Sequence, residues 1–134
     1  MTRTETLTVI WPRAELIDMN AERRMHYHQR SKLVHAIRTA VARAAADLDP
    51  FTNPVTIAAL FQWGDNHRRD SSNLFPTCKA AVDGLTDAGV LPGDHDAIVR
   101  DTSIGVDLPP NPALKGYARM TLTITERPEG GDDR

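Results

Sequence analysis

Residues 55–89, VTIAALFQWGDNHRRDSSNLFPTCKAAVDGLTDAG, decide the fold. In the opening segment Val55, Ile57, Ala59, Phe61 and Trp63 share one side, and the β-branched and aromatic types favour a strand. The residues that follow, GDNHRRDSSN, read as a loop dense in ionisable groups. Pro76 and Thr77 then open a helix in which Cys78, Ala81, Val82, Leu85 and Ala88 are spaced for burial, and Gly89 is a suitable stop. The opposite face of this helix carries Lys79, Asp83 and Asp87, each four residues from the next, so their side chains stack along one side.

Outward from this core unit the same two periods recur. Residues Thr4 to Trp11 alternate, with Leu7, Val9 and Trp11 set against Thr6, Thr8 and Ile10, and read as a first strand ended by Pro12. Arg13 to Gln29 has no clean period and reads as a long polar, basic loop, a candidate substrate arm. Ser31 is the expected N-cap of a helix running to about Asp47, with Leu33, Val34, Ile37, Ala40, Val41, Ala44 and Leu48 at helical spacing. Two more strands are expected at Ala97 to Val106 and Lys115 to Thr125, joined by the turn LPPNP. The expected architecture is α/β of the α+β kind: a small mixed sheet with two main helices packed on it. One domain over residues 1–126 is followed by a flexible acidic tail over 127–134.

A chain of 134 residues is long enough to bury one core without staples. The single cysteine excludes an internal disulfide and a zinc cluster of the Cys-x-x-Cys kind, and fits a reducing cytoplasm. No apolar run approaches the ~18 residues of a membrane span, and the N-terminus lacks a signal-peptide core, so a cytoplasmic protein with no membrane partner is expected. The net charge of −2 argues against nucleic-acid binding when taken as a sum. Its distribution argues the other way: Arg23, Arg24, Arg30, Lys32, Arg38 and Arg43 fall in one stretch without an acid, interleaved with His26, His28 and His35.

The chemistry is concentrated in His67 to Val99, where acids lie on loops at both ends of one helix. Phosphodiester cleavage needs a metal ion to activate water and offset charge on the transition state, and hard cations take carboxylate oxygens. Asp70 at the strand-to-helix loop and Asp94 or Asp96 at the helix exit are candidate ligands. Lys79 is placed to assist at the phosphate, and Arg68 and Arg69 suit phosphate contacts. A plainer reading stands beside this one: acids and glycines crowd the loops of any protein, and Lys79 with Asp83 is equally an exposed helix pair worth ~0.3 to 0.5 kcal/mol. His67 and His95 fit as loop residues, and Cys78 as a small buried hydrophobe.

The order Arg68-Arg69-Asp70-x-x-Asn73-Leu74, then Lys79-Ala80-Ala81-x-Asp83-x-Leu85, then Ala88-Gly89-Val90 and the acids Asp94 and Asp96, resembles the signature of the RusA family of Holliday junction resolvases. The resemblance is strong in the middle third and extends to an opening strand ending in Trp-Pro and a closing strand ending Leu-Thr-Ile-Thr-Glu. It implies a homodimer, of phage or prophage origin, that nicks branched DNA at paired symmetric positions with Mg²⁺ or Mn²⁺, in recombination and repair. Carried over by residue, it implies catalytic Asp70 and Lys79, with the last catalytic acid at Asp94 or Asp96. Metal ligation then falls to Asp70, Asp94 and Asp96, and DNA contacts to Arg23, Arg24, Arg30, Lys32, Arg68, Arg69 and Asn73.

Two positions depart from the pattern. Ser72 stands where the family has a second aspartate, and a hydroxyl is a far poorer metal ligand than a carboxylate; Asp65, Asp83 or the Asp94/Asp96 pair is then left to compensate. Three extra residues, Pro76 among them, separate Asn73 from Lys79. An alternative follows: a branched-DNA-binding protein that kept the dimer and basic surface but cleaves weakly or not at all. A protein-binding module without a DNA role is the third reading, resting on the net charge.

Overall fold

The computed structural model describes residues 2–65, 71–92, 98–106 and 109–127. Four strands, β1 (Thr4–Pro12), β2 (Val55–Trp63), β3 (Val99–Val106) and β4 (Tyr117–Glu126), form one sheet in the order β1-β4-β2-β3. β4 is antiparallel to both neighbours, and β2 and β3 are parallel. The sheet is therefore mixed, as expected, with the last strand inserted between the first two. Three helices accompany it: α1 (Met19–Arg24), α2 (Tyr27–Ala44) and α3 (Phe75–Asp87).

Alternation along the strands builds the core in rows across the sheet. Leu7, Leu122 and Ala59 form one row, Val9, Met120 and Phe61 the next, and Trp11, Ala118 and Trp63 a third. The helices cover this face with Ile37, Val41 and Ala45 of the α2 region and Cys78, Ala81, Val82 and Leu85 of α3, all buried. The other face carries Thr6 and Thr8 of β1 and Thr121, Thr123 and Thr125 of β4, and leaves Ile10, Leu60 and Tyr117 exposed. One buried face and one polar face is the ordinary solution for a two-layer domain. No described helix is long and apolar enough to cross a membrane.

The helices depart from the sequence expectations at their ends. The segment read as a loop from Arg13 to Gln29 holds a 3-10 turn (Arg13–Glu15) and α1, and α2 starts at Tyr27 instead of after Ser31. His26 is the cap, its Nδ1 accepting from the His28 N–H at 3.3 Å. α1 has six residues, too few to persist alone in water. It forms because Leu16 and Ile17, just before it, are buried, which no period in the sequence announces. At its far end α2 stops at Ala44, short of Asp47; Ala44 is exposed and Ala45 takes the buried position.

α3 ends as its sequence requires. Gly89 has φ +80°, its N–H donates to the Thr86 carbonyl and the Val90 N–H to the Leu85 carbonyl, a Schellman closure. Gly84 serves a different need, because α2 and α3 meet there. A Cβ at Gly84 would stand 2.7 Å from the Arg38 carbonyl oxygen and 2.9 Å from the Val41 Cβ. We expect Gly84→Ala to force the two helices apart and to cost about 1–3 kcal/mol, the usual range for overpacking. Urea unfolding checks this through a lower midpoint at an unchanged m-value.

Candidate nucleic-acid interface

The site starts from a buried hydroxyl. Thr77 Oγ1 donates to the Ile17 carbonyl at 2.8 Å and accepts the Ile17 N–H at 2.9 Å, fixing the arm of residues 13–29 to the first turns of α3. Nearby, Arg13, just after β1, reaches Asp65, just after β2, at 2.6 Å. Since β1 and β2 run the same way, both residues mark the carboxyl end of the sheet. The connections β1–α2–β2 and β2–α3–β3 bring both helices back from that end, so the N-termini of α2 and α3 sit there together. Helix N-termini add positive potential at this end.

Six of the candidate residues gather in this region. Arg23 and Arg24 close α1, Arg30 and Lys32 lie in the first turns of α2, Asn73 lies in the 3-10 turn that leads into α3, and Lys79 stands in the second turn of α3. Arg23, Arg24, Arg30, Lys32 and Lys79 are exposed and Asn73 is half-buried. Arg30 and Lys79 line one cleft of about 240 Å³ between α1, α2 and α3, together with Glu22, Val34, Phe75, Pro76, Ala80 and Asp83. Arg23, Arg24 and Lys32 are not among its lining residues.

Each cation in the cleft has a carboxylate beside it. Arg30 Nε donates to Glu22 Oε2 at 2.8 Å, and Lys79 Nζ to Asp83 Oδ1 at 3.1 Å. Further along, the Arg38 guanidinium donates twice to Asp87, at 2.7 and 2.8 Å, in a neighbouring cleft that shares Arg30 and Val34. Lys79, Asp83 and Asp87 do stack along one side of α3, as their spacing requires. The sequence did not mark Glu22 as a partner of Arg30, because the loop reading of that segment gave the two no common geometry.

Asp70, Arg68, Arg69, Asp94 and Asp96 lie outside the described residues, as do His67 and His95. The described residues that flank them are informative. Ser71–Leu74 is a 3-10 turn at the carboxyl end of the sheet, leading into α3. Val90, held by the Phe51 N–H, and Ile98, whose carbonyl accepts the Val55 N–H, lie at the opposite end of α3. With 13 residues that helix is ~20 Å long. Among the described residues no three of His, Cys, Asp and Glu form a group able to hold a metal ion. Asp65 and Asp83, weighed as substitutes for the acid missing at Ser72, face Arg13 and Lys79 respectively.

Cys78 is buried, and burial pushes its thiol up to about 12, as fits a packing residue. The Arg38 hydrogen bonds hold the Asp87 carboxyl below its ordinary value. A folded value below the unfolded one stabilises the fold above about pH 4 and is lost as pH falls through the folded value. We therefore expect the stability advantage of the natural chain over Asp87→Asn to be present at about pH 5 and to close on acidification below pH 4. Urea midpoints of both across that range measure it. No protein-family model and no curated protein matches the chain.

Proposed function

We propose that the chain is a RusA-type endonuclease, of phage or prophage origin, that acts as a homodimer in the cytoplasm of a bacterial host. It nicks four-way or related branched DNA with Mg²⁺ or Mn²⁺, in recombination and repair. The observation that carries this reading is the gathering of Arg23, Arg24, Arg30, Lys32 and Lys79 at the carboxyl end of the sheet, beside the N-termini of two helices. Phosphates are the chemistry such a surface fits.

In this reading Arg23, Arg24, Arg30, Lys32, Arg68 and Arg69 hold DNA backbone, Asn73 supports the loop before α3, and Lys79 offsets charge at the scissile phosphate. Asp70 and Asp94 or Asp96 would hold the cation, which supplies an activated water and charge neutralisation when bound. The described flanks of Asp70 and of Asp94/Asp96 stand at opposite ends of a ~20 Å helix. Ser72 favours one competing reading, a branched-DNA-binding protein without efficient cleavage.

A labelled four-way junction, with and without Mg²⁺ or Mn²⁺, tests the proposal against a linear duplex of the same sequence. Paired metal-dependent nicks are expected, lost in Asp70→Asn and reduced on the order of 10²-fold in Lys79→Ala. Tight junction binding without nicks at any metal concentration would establish the binding protein instead.

A further inference from the structure

We infer that the cleft between α1, α2 and α3 is a phosphodiester-binding subsite whose two cations, Arg30 and Lys79, are held in reserve by Glu22 and Asp83. The inference rests on the DNA reading above and names a strand contact within it. Four charged side chains line the one cleft, two cations and two acids, and they are coupled in pairs at 2.8 and 3.1 Å. Their side-chain exposures run from 24% for Asp83 to 52% for Lys79, so an anion from solution reaches each of them. Val34, Pro76 and Ala80 supply an apolar lining on which a sugar can rest.

The geometry favours an exchangeable arrangement over a fixed one. Arg30 and Lys79 sit on different helices, so a single phosphodiester touching both would bridge α2 and α3. A phosphate oxygen offers the guanidinium the same charge-assisted acceptor as the Glu22 carboxylate does. An exposed ion pair contributes at most about fivefold to an equilibrium, so either acid is readily displaced. The N-terminal turns of α2 and α3 further favour the incoming anion. The two acids meanwhile keep the empty cleft from holding two uncompensated cations side by side.

This arrangement has a signature in salt. An uncompensated cation that meets a phosphate releases a counterion and steepens the dependence of log K on log salt by ~0.9. Arg30 brings its own counterion, Glu22, which must recruit a solution cation once it is displaced, so this contact adds little to the slope. The salt dependence of the natural chain therefore understates its phosphate contacts.

The test is equilibrium binding of a labelled four-way junction in EDTA, across a series of KCl concentrations. The variants are Glu22→Gln, Asp83→Asn, Arg30→Gln and the double Glu22→Gln/Arg30→Gln. Asp47→Asn, an exposed acid beyond the far end of α2, controls for net charge. Glu22→Gln and Asp83→Asn should each tighten binding about two- to fivefold and steepen the slope by ~0.9, beyond any change in Asp47→Asn. Arg30→Gln should weaken binding, and the double variant should match it, because Glu22 acts only through Arg30. Thermal melts of each variant separate a folding defect from a binding one. Glu22→Gln behaving like Asp47→Asn, or Arg30→Gln binding like the natural chain, would overturn the subsite alone. A natural chain that binds no junction even at low salt would overturn the DNA reading and the subsite together.

Discussion

The Thr77 hydroxyl, fully buried, donates to the Ile17 carbonyl and accepts the Ile17 N–H, and this pair of bonds fixes the N-terminal arm to α3. Thr77 is the one buried polar side chain among the described residues. Its oxygen satisfies both backbone groups of a residue that is itself 0% exposed, so neither is left unpaired inside the protein. Together with the burial of Leu16 and Ile17, this pairing holds the arm beside α3, where Glu22 and Arg30 line one cleft with Lys79. The cleft exists because the arm is anchored from one end by a hydroxyl and two apolar side chains.

A second constraint comes from the topology. Both helices return from the carboxyl end of the sheet, and Gly84 lets them approach closely enough to share a groove. α2 and α3 therefore advance together, which is why Arg30 shares a cleft with Lys79 and, two turns on, Arg38 meets Asp87. The same topology puts the entrance and exit of α3 at opposite ends of the domain.

All four strands and both main helices were legible in the sequence, β1, β2, β4 and the helices from their period, and β3 without one, since its apolar Val99 and Ile104 differ in parity. The placement of β4 between β1 and β2 was not, because alternation reports which face is buried and says nothing of neighbours. The arm was misread for a related reason: Leu16 and Ile17 are consecutive apolar residues in a polar stretch, and their burial depends on Thr77, sixty positions away. Of the candidate site, Arg30 and Lys79 were legible as charges, and their juxtaposition was not. Lys79 with Asp83 could be read directly, because an i,i+4 pair needs only a helix.

The net charge of −2 becomes easier to place once the pairs are known. Arg3, Arg13, Arg30, Arg38 and Lys79 each sit against a carboxylate, so five of the sixteen basic side chains are matched locally. At physiological salt the field of an exposed charge fades over ~8 Å, so an approaching phosphate responds to the charges around it and not to the total. Under the proposed function, what it meets at the carboxyl end of the sheet is Arg23, Arg24 and Lys32 on the surface, two helix N-termini, and the paired cations Arg30 and Lys79. In the proposed reading an acidic chain presents a locally anion-binding face in this way, and ion pairing within that face limits repulsion among its cations.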